Sequence, residues 1–127
     1  MPESMPPDLD AALRAGCRAF DRARFWYAHE AWEAGWLPYR GGRGDFLKGL
    51  IQTAAVQHHL QRARPTAALA LLRRGRVIAH LTGCDPVAWP LDVGTVVAVL
   101  AAQQARLERG HRVPPTRLQL TPMLDWW

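Results

Sequence analysis

Apolar residues recur every three or four positions through most of this chain, the period of an α-helix with one face turned inward. Leu9, Ala12, Leu13, Gly16, Cys17 and Phe20 form the first stripe, and Asp8 stands where an N-cap is needed, so a helix is predicted over 8–21. After a short turn at Asp21–Arg24, a second helix runs from Phe25 to about Leu37, where Pro38 stops it. Asp45 opens a third, over 46–62, with Phe46, Leu47, Leu50, Ile51, Ala54 and Ala55 on its apolar side and His58 in the continuation. Gly49 and the alanines there would let a neighbouring helix come close. Pro65 begins a fourth helix, carried to about Leu81 by Ala68, Leu71, Leu72, Gly75, Ile78 and Ala79. The segment 82–91 is a connector. Asp92 caps a fifth helix reaching about Arg109, with Val93, Val96, Val97, Leu100 and Leu107 inward and Gly110 placed to end it. From His111 the prolines preclude regular helix. No repeat and no strand pair with hairpin chemistry stands out. The expectation is an all-α fold: one compact multihelical bundle of about five helices over residues 8–110, a flexible N-terminus at 1–7, and an extended proline-rich tail, 111–127, packed on the domain.

The candidate chemistry sits on the second helix. Positions three and four apart share a helix face, so His29, Glu33 and Trp36 form a column, with Phe25 and Trp32 beside it. The column carries most of this helix's large rings and is expected to face the core, taking an imidazole and a carboxylate inside, where each needs a partner. That predicts a polar pocket between the second and third helices made by His29, Glu33 and His58. Phe25, Trp32 and Trp36 would line it, with Gln52 or His59 at the rim. Two imidazoles and a carboxylate can hold a divalent metal such as zinc or iron. The metal reading is the weaker one: HExxH would need histidine at Glu33, and the Glu-x-x-His pair of di-iron bundles is missing. Without metal, a Glu33-oriented His29 can act as general base in hydrolytic or proton-transfer chemistry on a small molecule. Alternatively, the group only locks helix pairing, as buried polar networks do without catalysing anything. Glu30, on another face, is expected in solvent or paired with an arginine.

Composition narrows the classes further. The 127 residues, 49% hydrophobic and 21% charged, suit one soluble globular domain. The net charge of +5 is carried almost entirely by arginine, Lys48 being the single lysine. Arg62, Arg64, Arg73, Arg74 and Arg76 cluster around the third-to-fourth helix turn, and Arg40 and Arg43 lie in the glycine loop 38–44. An acidic partner or nucleic acid would suit such a cluster. No recognition-helix or RNA-module pattern accompanies it, however, so a solvated arginine surface is favoured over nucleic acid. The glycine loop fits neither phosphate-binding spacing. The stretch Met1–Asp10 is no signal peptide, and the longest apolar run, Val96–Ala102, is far short of the ~20 residues that cross a bilayer. Cys17 and Cys84 make no disulfide framework. A reduced cytoplasmic protein is expected, without membrane association and with Cys17 as a small buried hydrophobe. Trp126 and Trp127 either fold back or bury themselves in a second copy, so the partners in view are a small ligand or a homodimer mate.

In order and spacing the motifs resemble the bacterial and plant family catalogued as domain of unknown function 309. The resemblance rests on His-x-x-x-Glu-x-x-Trp at His29, Glu33 and Trp36, then Phe-Leu-x-Gly-Leu-Ile-Gln-x-Ala-Ala at Phe46–Ala55, followed by histidine. Phe20–Tyr27 also resembles the family's helix–turn–helix entry, with Ala23 where glycine is common. The resemblance covers roughly Asp8 to Leu81. It implies a compact multihelical domain whose histidine–glutamate pattern is suspected of functional importance, with no established activity. The family's later histidine falls on His58 or His59, and the apolar stripe favours His58 facing inward.

Overall fold

A computed structural model describes residues 7–37, 43–83 and 91–124. Within them the chain forms seven helices and no strand: α1 (Pro7–Asp21), α2 (Phe25–Trp36), α3 (Arg43–Gln61), α4 (Pro65–Arg74), α5 (Val77–Thr82), α6 (Val93–Glu108) and α7 (Thr121–Leu124). The fold is all-α, with two more helices than the periodicity predicts. Expectations placed on 1–6, 38–42, 84–90 and 125–127, among them Arg40, Cys84, Trp126 and Trp127, lie outside the described residues. Among the described residues, no helix is long and apolar enough to cross a membrane.

The α1 stripe is buried at Leu9, Leu13, Cys17 and Phe20. Burial, and then the charge of Asp21, push the Cys17 thiol up to about 12, so the side chain packs and stays protonated. The neighbour of α1 is α2, and Gly16 sets how closely they meet. A methyl group at Gly16 would lie 2.0 Å from Nε1 of Trp32. That indole is completely buried and donates its N–H to the Leu13 carbonyl at 3.1 Å.

Helices α1 and α3 end in the same way. Ala23 and Ala63 take left-handed φ values of 59° and 53°. In the first corner Ala23 N–H donates to Phe20 O at 2.9 Å and Arg24 N–H to Ala19 O at 2.9 Å; in the second, Ala63 N–H donates to Leu60 O at 3.1 Å and Arg64 N–H to His59 O at 2.8 Å. This paired closure satisfies the last carbonyls of each helix. Arg-Ala-Arg occupies both corners, at 22–24 and 62–64. The Gln61 amide donates to Ala23 O at 3.0 Å, so the two hairpins lie side by side with their corners at one end.

Helix α3 packs against α2, α4 and α5, and it is buried on more than one side, through Phe46, Leu47, Leu50, Ala54, Val56 and Leu60. Gly49 admits α5: a methyl there would stand 2.8 Å from Leu81 Cδ2. The predicted fourth helix does not continue to Leu81. It breaks at Gly75–Arg76, where Arg76 has φ 53°. Gln52 on α3 donates to Gly75 O at 2.9 Å and meets His80 Nδ1 at 2.8 Å, so a side chain from another helix satisfies the break and draws α5 onto α3.

Asp92 caps α6 as predicted, accepting Thr95 N–H at 3.1 Å. Beyond α6, residues 111–120 are irregular, with Val113 and Leu120 buried. Gln57, fully buried on α3, exchanges amide bonds with Gln103 on α6 at 2.8 and 3.0 Å, and its Oε1 also accepts Thr116 N–H at 2.9 Å. The Asp21 carboxylate accepts the N–H groups of Leu120 and Thr121, fixing the start of α7 to the end of α1. Helix α7 corrects the expectation that the prolines exclude helix here. Pro122 falls in its first turn, where no intrahelical N–H is required.

Candidate functional site

The core face of α2 is offset from the predicted column. Phe25, Ala28, Trp32 and Gly35 are buried, and the Phe25 and Trp32 rings lie 5.0 and 5.9 Å from Phe20 of α1. Both are therefore core residues on the α1 side and do not line a pocket with His58. His29 and Glu33 sit at the rim of that core, their side chains 20% and 46% exposed. The expectation that both enter the interior is corrected: only the imidazole is largely covered. Trp36 is half-buried against the core.

The imidazole is flanked on two sides. Trp26, one turn earlier, stacks flat on it with centroids 4.8 Å apart and planes at 5°. Glu33 Oε2, one turn later, lies 3.5 Å from His29 Nδ1. That distance is too long for a good hydrogen bond, and His29 Nδ1 is buried without a hydrogen-bond partner. From α3, the His58 ring approaches the same indole at 5.5 Å. His58 is held below the usual histidine range by burial first, then by the positive charge of Arg62, His59, Arg64 and His29. His59 stands 6.1 Å from His58, with Nδ1 buried and unbonded. Burial, then Arg64, lowers its pKa too. The structure thus brings His29, Glu33, His58 and His59 to one side of the α2–α3 pair. Gln52 is elsewhere, engaged with Gly75 and His80.

Trp26 is the residue that sequence reasoning missed. It is 48% exposed, yet its ring touches two histidines and its N–H donates to Glu30 Oε1 at 2.8 Å. Glu30 is exposed, as expected, and also accepts this indole N–H. The available signal was spacing, because Trp26 precedes His29 by three positions and Glu30 by four. Among the described residues, no group of three or more His, Cys, Asp or Glu is arranged to hold a metal ion. The cluster is equipped for hydrogen bonding and proton exchange around an aromatic wall.

These features define a small all-α protein of side-by-side helical hairpins, with a polar aromatic cluster where the hairpins meet. Residues 13–71 match the model of the family described as Domain of unknown function (DUF309). The matched segment holds both Arg-Ala-Arg corners and the whole cluster. No curated protein and no solved structure matches the chain.

Proposed function

We propose that the α2–α3 face binds a small polar molecule and that His29 exchanges a proton with it, in hydrolytic or proton-transfer chemistry. The observation that carries this reading is the covered, unbonded His29 Nδ1 with Glu33 Oε2 at 3.5 Å. A slight approach of the carboxylate fixes the proton on Nδ1 and leaves Nε2 as the base; such bonds are commonly long until a ligand is in place. Trp26 supplies a flat wall for the ligand. His58, whose pKa is lowered by burial and then by its arginine neighbours, supplies a second acceptor when neutral. A half-exposed Glu33 suits a site that must admit a ligand better than one that only locks packing.

Hydrolysis of p-nitrophenyl acetate tests it. The protein should exceed free imidazole at equal concentration. His29→Gln should lower the rate by about 100-fold or more, and Glu33→Gln by about tenfold, with unchanged melting temperatures. A rate no better than imidazole, or a Glu33→Gln protein altered only in stability, would overturn the proposal and leave the cluster as a helix lock.

A further inference from the structure

A cavity of about 590 Å³ opens where α3 turns into α4, closed on the far side by the end of α6 and the segment 111–115. Its volume is that of a small-molecule pocket. Leu60, Leu69, Leu107 and Val113 make an apolar floor. The two charged residues that line it, both arginines, are of one sign. Arg64 and Arg112 flank it with His111, and no carboxylate is among its lining residues. The nearby Glu108 is turned to other partners, Arg73 at 3.7 Å and Gln104 at 2.9 Å.

The backbone adds to this polarity. Pro65 and Thr66, the first residues of α4, form part of the wall. The N-cap residue Arg64 gives no side-chain cap, and the first turn holds no acidic residue, so the partial positive charge of the helix start is uncompensated. At the opposing end of α6 the carbonyls of Arg106 and Leu107 accept the N–H groups of Arg109, Gly110 and His111.

We infer that this groove binds a small amphipathic carboxylate: an apolar body on the leucine and valine floor, with its acid group between Arg64 and Arg112. An uncharged apolar ligand would leave the two arginines of the lining unused, and a cation would be repelled. A guanidinium–carboxylate pair is the strong, directional contact that fixes such a ligand's orientation. The site is separate from the histidine cluster, and Glu33 has no part in it.

The test is a titration of the isotopically labelled full chain with decanoate, decanol and decylamine below their aggregation concentrations, followed by amide shifts. Decanoate should give saturable shifts concentrated at Thr66, Leu69, Gly110 and Val113. Decanol should bind at least about tenfold more weakly, and so should decanoate to the Arg64→Gln/Arg112→Gln protein, whose unaltered melting curve shows it folded. Glu33→Gln should leave decanoate binding unchanged. Equal affinity for decanol, equal affinity in the double variant, shifts spread over the whole surface, or a response only to an acidic peptide would each overturn the inference.

Discussion

Replacing Gly16 with alanine puts two physical effects of opposite sign against each other. In the middle of a helix, alanine is favoured over glycine by about 1 kcal/mol. Here the new methyl would stand 2.0, 2.3 and 2.4 Å from three atoms of the Trp32 indole, well over an ångström inside normal contact. The indole cannot yield cheaply, because it is fully buried and its N–H is bonded to Leu13 O. Overpacking of this kind costs about 1–3 kcal/mol. Pulling Trp32 from Leu13 leaves a buried donor and acceptor unmade, for about 1–3 kcal/mol more. Set against the propensity gain, the expected result is a loss of roughly 1–5 kcal/mol. Urea unfolding followed by circular dichroism reads this as a lower midpoint at unchanged slope. Gly94→Ala is the control. Its site is exposed, and its methyl would meet nothing nearer than Asp92 Oδ1 at 3.4 Å, so it should be neutral or stabilised by up to about 1 kcal/mol. Adding Trp32→Phe to Gly16→Ala should cost less than the two changes summed. A Gly16→Ala protein as stable as its parent would refute the account of how α1 and α2 meet.

Gln57→Ala should lose about 2–4 kcal/mol in the same assay, since it strands the Gln103 amide and Thr116 N–H and opens a cavity; replacing Gln57 and Gln103 together with methionine should recover part of that. Ala23→Gly and Ala63→Gly relieve left-handed alanines and should each raise stability by up to about 1 kcal/mol, additively; a loss at either site would count against strain in the corners. Burial, with arginine or lysine charge behind it, lowers His58, His59 and His80 from 6.5. The unfolded chain therefore takes up protons first as pH falls through 6.5, and stability should drop between about pH 7.5 and about pH 5.5. A urea midpoint that rises on acidification over that window would contradict these directions.

The parts of the fold legible in the sequence are those settled within one element. The α1 stripe, the Asp92 cap and the Asp21–Arg24 turn need only local spacing. The break after Arg74 was not legible, because a glutamine one helix away makes it tolerable and no periodicity in 65–81 records that. The face of α2 was misread for a related reason. His29, Glu33 and Trp36 share a column with large rings, but close approach is set by the small residues Ala28 and Gly35, which carry little hydrophobic signal. The same offset sets the predicted cluster at the edge of the α2–α3 pair. His29 of α2 and His58 of α3 both contact the Trp26 ring, at the rim of the core, with Trp26 where Phe25 and Trp32 were expected.

Arg64 has two neighbourhoods. It lines the groove at the second corner, and its charge is among those that, after burial, lower the pKa of His58 and His59. An anion seated against Arg64 would cancel part of that charge and let both rings protonate more readily. Linkage makes the exchange mutual: acidification would tighten the anion's hold by the same factor. One side chain thus allows an occupant of the groove to be felt at the histidine cluster without any helix moving.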